Sequence, residues 1–480
     1  MLISAKNISR DQNRVVELPL SKSESNRALM IMHYAGIQGI RNSETQKFKK
    51  SEKALYDSAT LSNSDDTVLL QKHLNAINQY IKDCEQGLLS VDCCPLTLDC
   101  HNAGTVFRFL MTAVANLYLG VSETRCLGVL LTGSERMKSR PIDSLVDALR
   151  NLGVSIEYQG REGYPPILIS STNLANHPES SSNNTCDPCD TWRLEISAEQ
   201  SSQFASSLLL AAPLWKNGLE LHLTGNLSSL PYIDMTIAMM RQCGIDVVRN
   251  DRDIMVKPGC YNVENIKVEP DWSAAAFWYE IASFSDNAEI LLKNLNINSL
   301  QADAAAIKMF ESLGVETISV KEGVLLKKVN SQRSTVNGNS SVGQFKVQSS
   351  ELKVQSSTFN FKDCPDLFPA VIAACAGNKV NATFTGLKNL SIKESDRKHA
   401  MMKELSKINI SFEDISDDEL KMFCPEELPY FTEESPIVFD NYEDHRIAMA
   451  LSVLSMKIGA VSMENTEVVS KSYPGFFDTL

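Results

Sequence analysis

The stretch Asp271-Trp272-Ser273-Ala274-Ala275-Ala276-Phe277-Trp278-Tyr279-Glu280-Ile281-Ala282 joins a short polar head to a run that is apolar on nearly every helical face. A surface helix keeps one polar side, so a run without one is expected to be a helix enclosed by protein. Five other stretches share the plan: Ser21-Lys22-Ser23-Glu24-Ser25-Asn26-Arg27 before ALMIMHYAG, Asn102-Ala103-Gly104-Thr105 before VFRFLMTAVA, Ser201-Ser202-Gln203 before FASSLLLAAPL, Asp363-Cys364-Pro365-Asp366 before LFPAVIAACAG, and Glu443-Asp444-His445-Arg446 before IAMALSVLSM. Most are expected to end at a glycine such as Gly36, Gly377 or Gly459. Their heads then become helix N-termini, where unpaired N–H groups and the positive end of the helix dipole attract phosphate and carboxylate.

Composition narrows the class. A chain of 480 residues, 43% hydrophobic and 22% charged, has core enough for two or more domains. The net charge of −13 argues against a nucleic-acid or anionic-membrane surface while allowing local cationic clusters. The opening MLISAKNISRDQNRVV lacks the apolar segment of a signal peptide, and no run reaches the about 18 apolar residues of a membrane span, so a cytoplasmic location is expected. Of the cysteines, Cys126, Cys243 and Cys375 read as buried small hydrophobes. Cys186 and Cys189 form a C-x-x-C without a second pair at zinc spacing, in a Ser/Asn-rich stretch.

An internal repeat lies between the apolar runs. Residues 130–158, 222–249, 291–318 and 384–413 each read as strand and loop, amphipathic helix, then short strand. Gly153, Gly244 and Gly314 are expected to turn each helix back into a strand, with Asn409 as the residue tolerated in left-handed backbone at the fourth site. Pairing each outer helix with a buried one predicts an α/β chain of two similar domains with a cleft between them. Three polar segments, 42–65, 171–190 and 330–357, interrupt the order and read as surface loops or hairpin extensions without chemistry.

Cations gather at several heads. Lys22 and Arg27 stand among three serines, and Arg136, Lys138 and Arg140 crowd the loop after Thr132-Gly133. Like charges so close suggest an anion among them, although a solvated loop would carry any one of them. Ile392-Lys393-Glu394-Ser395-Asp396-Arg397 reads either as the same kind of site or as an exposed helix start with local ion pairs.

Ten motifs in order, LSKSESNRAL, NAGTVFRFL, LTGSERMKSRPI, SSQF, PYID, DWSAAAF, CPDLFP, IKESDR, YEDHRIAMA and KSYPGF, resemble the 3-phosphoshikimate 1-carboxyvinyltransferase family from about Val16 to Pro474, outside the three polar segments. The resemblance implies two domains of three βαββαβ units each, one formed by residues 1–20 and 271–480 and the other by 21–270. It implies transfer of the enolpyruvyl group of phosphoenolpyruvate to the 5-hydroxyl of shikimate 3-phosphate by a monomer, with no metal or organic cofactor. Matched motif by motif, shikimate 3-phosphate would meet Lys22, Ser23, Arg27, Ser201, Ser202, Gln203, Ser229, Asp366, Asn389 and Lys393. Phosphoenolpyruvate would meet Lys22, Gly104, Arg136, Gln203, Arg397, Arg446 and Lys471. The resemblance makes Asp366 the base and Glu394 the proton donor, with Lys22 stabilising charge or sharing proton transfer.

Phe109 stands where the family commonly has proline, and Cys100-His101 where Leu-Gly is usual; His101 is expected to be structural. Two rival readings are a UDP-N-acetylglucosamine enolpyruvyltransferase and a non-catalytic phosphosugar-binding relative. The first would carry Lys-Asn at the first motif and a cysteine in the loop that here reads GSERMKSRPI, and the second would need no paired acids beside the cations.

Overall fold

The structure is a computed structural model that describes residues 1–4, 11–41, 61–86, 88, 94–119, 128–170, 191–197, 199, 201–227, 229–264, 266–329 and 357–480. It divides into two compact units, Met1–Pro19 with Glu269–Leu480, and Leu20–Val268. Each unit has its own apolar core. Among the described residues no helix is long and apolar enough to cross a membrane.

One module recurs. In Leu20–Val268, the strand Leu96–Asp99 leads through the buried helix Gly104–Tyr118 to the parallel strand Val129–Thr132. The outer helix Asp143–Asn151 and the hairpin Ser155–Tyr158 and Ile167–Ser170 then complete a four-stranded mixed sheet. The same order holds around Ser202–Ala211 in that unit, and around Trp272–Phe284 and Phe368–Gly377 in the other. A shorter copy surrounds His445–Val453, whose flanking strands Ile437–Phe439 and Val461–Met463 run parallel, with Leu2–Ile3 added antiparallel. The other long helices of Leu20–Val268 are Lys22–Arg41 and Asp65–Glu85. At the ends of the four outer helices, Gly153, Gly244, Gly314 and Asn409 take φ of 91°, 86°, 80° and 66°, the left-handed turn that lets the chain re-enter a sheet.

The apolar runs are enclosed as their patterning requires. All thirteen residues of Trp272–Phe284, all ten of Phe368–Gly377 and all nine of His445–Val453 are buried. Full burial of a side chain such as Phe277 stabilises the fold by about 3 kcal/mol. Helices without a wet face cannot slide or rotate cheaply, which suits them to hold polar heads in fixed positions.

Three expectations need correction. The first helix does not stop at Gly36 but runs to Arg41, because a mid-helix glycine costs only about 1 kcal/mol. Its polar head Lys22–Arg27 forms the first turns of the helix, as expected of a helix N-terminus. The segment after Gly133 is a one-turn helix, Glu135–Lys138, capped by the Ser134 hydroxyl on Met137 N–H at 3.3 Å. The described end of the 42–65 segment is built in: Ser62 and Ser64 are buried, and Asp65 opens a helix that patterning had not singled out. The rest of that segment, residues 171–190 with Cys186 and Cys189, residues 330–356, and Cys126 lie outside the described residues.

Candidate active site

In the unit Met1–Pro19 with Glu269–Leu480, the heads of two buried helices and one outer helix carry a dense ionic cluster around Arg397. Its side chain is 1% exposed, and its donors reach three carboxylates: Nε to Asp444 Oδ2 at 2.8 Å, Nη1 to Asp366 Oδ1 at 2.6 Å and Nη2 to Glu394 Oε2 at 2.8 Å. Burial disfavours the charge, but Asp444, Glu394 and Asp366 outweigh it and hold the guanidinium's pKa well above its ordinary value. Arg446 Nη2 meets Asp366 Oδ2 at 2.9 Å, Lys393 Nζ lies 3.4 Å from Asp366 Oδ1, and Lys471 Nζ lies 3.8 Å from Glu394 Oε1. Burial would push the Asp366 carboxyl up, and Glu394 works the same way. Arg446, Lys393 and Arg397 prevail and hold it well below the usual carboxylate range. Asn389 lies half-buried in the 3₁₀ turn Lys388–Ile392 that leads into Lys393.

Local geometry explains how Arg397 and Arg446 reach the same carboxylate. The chain takes two successive left-handed residues, Tyr442 at φ 52° and Glu443 at φ 54°, a conformation costing on the order of 1–3 kcal/mol per residue. Asn441 braces them: its Oδ1 accepts from Glu443 N–H at 2.9 Å while its Nδ2 donates to Glu464 and Asn465 carbonyls at 2.7 and 3.2 Å. The Tyr442 hydroxyl is tied to the buried Glu404 at 2.7 Å. This sharp entry places Asp444 as N-cap, accepting from Arg446 N–H at 3.0 Å while its other contacts hold Arg397. The helix starts at Arg397 with Asp396 as its N-cap, and in IKESDR Ser395 and Arg397 are buried while the other four residues are half-buried, so the segment is not an exposed helix start.

The unit Leu20–Val268 arranges its cations differently. Lys22 Nζ pairs with Asp66 Oδ2 at 3.2 Å. Arg27 is fully buried and donates to neutral oxygens: Thr236 Oγ1 at 2.7 Å, Ser23 O at 2.9 Å, Tyr232 O at 3.1 Å and Ser206 Oγ at 3.4 Å. Burial lowers its pKa to about 10, against the pull of Tyr232 and Glu24. Gln203 donates to Thr105 Oγ1 at 2.8 Å and accepts from Arg108 Nη1 at 2.8 Å, which connects the head of the Ser202–Ala211 helix to that of Gly104–Tyr118. Ser201 caps its own helix on Gln203 N–H at 3.2 Å, Ser202 is buried, and Ser229 sits at φ 56° directly before Leu230–Gln242. Gly104 lets two guanidinium groups close in on the backbone: a Cβ there would lie 2.5 Å from Arg108 Nη1 and 2.6 Å from Arg140 Nη1 and would push both aside. Of the three cations after Gly133, Arg140 is buried against Gly104, Arg136 is half-buried, and Lys138 pairs with Glu135 at 2.9 Å near solvent. His101 is exposed at φ 47°, its N–H on Asp99 Oδ1 at 2.8 Å.

The sequence pattern does not point to Asp66, Arg108, Asp303 or Asp444 as parts of these clusters, whereas Arg140 stands among the cations it groups after Gly133. Asp444 was within reach, since it stands in the YEDHR head at the N-cap position. Asp66 was not, since only folding brings it to Lys22. Among the described residues no group of three or more His, Cys, Asp or Glu side chains is placed to hold a metal ion.

Both clusters suit small polyanions, and the first also holds two carboxylates, Asp366 and Glu394, on one guanidinium, which is an arrangement for moving protons beside a bound anion. The EPSP synthase (3-phosphoshikimate 1-carboxyvinyltransferase) family model matches residues 6–480. A 3-phosphoshikimate 1-carboxyvinyltransferase of Bacteroides fragilis is 34% identical over 97% of this chain and 94% of its own length. One of Vibrio vulnificus is 30% identical over 98% and 96%. In fold the chain is similar to an EPSP synthase of Acinetobacter baumannii, with a TM-score of 0.63 at 18% identity, covering 99% of this chain and 96% of that one. It is also similar to the enolpyruvyl transferase NikO of Streptomyces tendae, with a TM-score of 0.59 at 11% identity over 100% and 96%.

Proposed function

Because the chain belongs to the EPSP synthase (3-phosphoshikimate 1-carboxyvinyltransferase) family, we propose that it transfers the enolpyruvyl group of phosphoenolpyruvate to the 5-hydroxyl of shikimate 3-phosphate, releasing phosphate, in the shikimate pathway to aromatic amino acids. The observation that carries the reading is the pairing of Asp366 and Glu394 on Arg397, each with a further cation at hand.

Addition followed by elimination needs one group to take the hydroxyl proton and another to protonate the enol methylene. In this reading Asp366 takes the first and Glu394 delivers the second. Asp366 is a weak base while Arg446, Lys393 and Arg397 surround it. Arg397 and Arg446 engaging the carboxylate and phosphate of phosphoenolpyruvate, and Lys393 engaging shikimate 3-phosphate, would draw positive charge off Asp366 and raise its basicity as the substrates arrive. Lys471 supports the same anion, and Lys22 stabilises charge developing on it. Ser23, Arg27, Ser201, Ser202, Gln203, Ser229 and Asn389 hold shikimate 3-phosphate, and Gly104 and Arg136 meet phosphoenolpyruvate. The protein works as a cytoplasmic monomer on these small molecules.

The test is a coupled phosphate-release assay with phosphoenolpyruvate and either shikimate 3-phosphate or UDP-N-acetylglucosamine as acceptor. Release with shikimate 3-phosphate alone is expected. Release with the sugar nucleotide would assign the chain to the sister reaction, and none with either would leave a binding protein.

A further inference from the structure

Asp303 is a buried acid to which no motif assigned a role. It lies in the 3₁₀ turn Ala302–Ala305 of an outer-helix segment, yet it is only 4% exposed. Its Oδ2 accepts from the hydroxyl of Ser273, in the first turn of the buried helix Trp272–Phe284. Its Oδ1 is buried without a hydrogen-bond partner, and so is Arg446 Nε. The turn is pinned to the same helix head by Gln301, whose Nε2 donates to Pro270 O at 2.8 Å and whose Oε1 accepts from Trp272 N–H at 2.9 Å. The charged and titratable groups that face Asp303 are Asp366, Arg446, Asp271 and the Cys364 thiol. Asp271 already caps its helix on Ser273 and Ala274 N–H, and burial keeps the Cys364 thiol neutral.

An acid buried on a single neutral hydroxyl is costly, and the fold gains no helix cap or sheet bond from it. Its electrostatic partners, by contrast, are the proposed base and the guanidinium that grips that base. We propose that Asp303 is a positioning residue of the transfer reaction, a second carboxylate held by Ser273 whose charge acts on Arg446 and Asp366 and thereby keeps Asp366 from losing more of its basicity and Arg446 from holding its anion too tightly. The inference rests on the enolpyruvyl-transfer reading of this site. Burial first and Asp366 second push the Asp303 carboxyl up to about 6, against Arg446 and Ser273, so the group is charged at neutral pH and loses its charge in mildly acidic solution.

The test is Asp303→Asn, which keeps size and an acceptor for Ser273. Without the negative charge, Asp366 falls further below the carboxylate range, and Arg446 is left freer for phosphoenolpyruvate. Turnover should drop by roughly 10-fold while the KM for phosphoenolpyruvate drops by about 3-fold, a joint fall that a packing defect does not produce. In the wild type, kcat should rise with pH through about 6 as Asp303 ionises, and the variant should lack that limb, so that the two converge below it. Ser273→Ala, which retains the acid but loses its donor, should move the limb to higher pH and decides the matter if the Asn variant does not fold. A raised KM with the acid limb unmoved would make Asp303 structural and overturn the proposal, as would unchanged kinetics. Absence of turnover in the wild type would sink the parent reading and this inference with it, whereas an active wild type beside an unaltered variant would sink this inference alone.

Discussion

The two ionic clusters differ in what their arginines hold. Arg397 binds three carboxylates, whereas Arg27, equally buried, donates to a threonine, a serine and two backbone carbonyls. Surrounding acids raise the pKa of Arg397, while burial lowers that of Arg27 to about 10. A cation among neutral dipoles keeps its net charge for an incoming anion, so the unit Leu20–Val268 is suited to holding substrate. A cation among acids exchanges one carboxylate for another when an anion arrives, and each exchange alters the basicity of the acid it leaves. The other unit is therefore suited to proton transfer. Lys22 is the exception, because its partner is the carboxylate of Asp66.

The largest effect should come from Asp366→Ala. Loss of the proposed base should lower turnover by roughly 10³-fold, within the usual range for a general base, as steady-state phosphate release would measure. A loss under 10-fold would place the base elsewhere and erase the contrast between the units. Arg136→Ala, in the anion-holding unit, should behave otherwise: an about 10-fold rise in the apparent KM for phosphoenolpyruvate with kcat nearly unchanged. A kcat defect as deep as that of Asp366→Ala would mean that both units carry chemistry. Asn441→Ala should have the smallest catalytic effect and act mainly on stability. It removes the brace of two left-handed residues together with the bonds to the Glu464 and Asn465 carbonyls, at about 1–3 kcal/mol, seen as a lowered Tm. An unshifted Tm would show that the turn before Asp444 holds itself.

Much of this was legible in the chain. Apolar runs without a wet face marked the buried helices, because patterning reports burial directly. The left-handed turns were legible because glycine and asparagine are the residues that tolerate them. Gly36 misled because a glycine inside a helix with strong packing is only mildly unfavourable. The helix Asp65–Glu85 was overlooked although Leu70, Leu74, Ile77 and Tyr80 mark its buried face, since its acidic start merges with a polar stretch. The ionic partnerships were the hardest to foresee. Asp303 on Ser273, Asp444 on Arg397 and Asp66 on Lys22 all join residues from separate elements, and one sequence carries no record of such encounters. The family resemblance named cations by motif, but which acid each one faces is a property of the folded chain.

The central claim is that acid–base chemistry belongs to the Asp366–Glu394 cluster, and the reaction itself can be made to report on it. Run in deuterium oxide, protonation of the enol methylene followed by loss of a proton from the resulting methyl leaves deuterium in the vinyl group of the product, countable by mass spectrometry. Glu394→Gln preserves size and an acceptor for Arg397 but removes the proton. Its rate of deuterium entry should fall in step with turnover, by roughly 10²-fold or more, while shikimate 3-phosphate still binds with wild-type affinity. Deuterium entering at the wild-type rate would contradict the assignment and move the proton donor to Lys22, in the other unit.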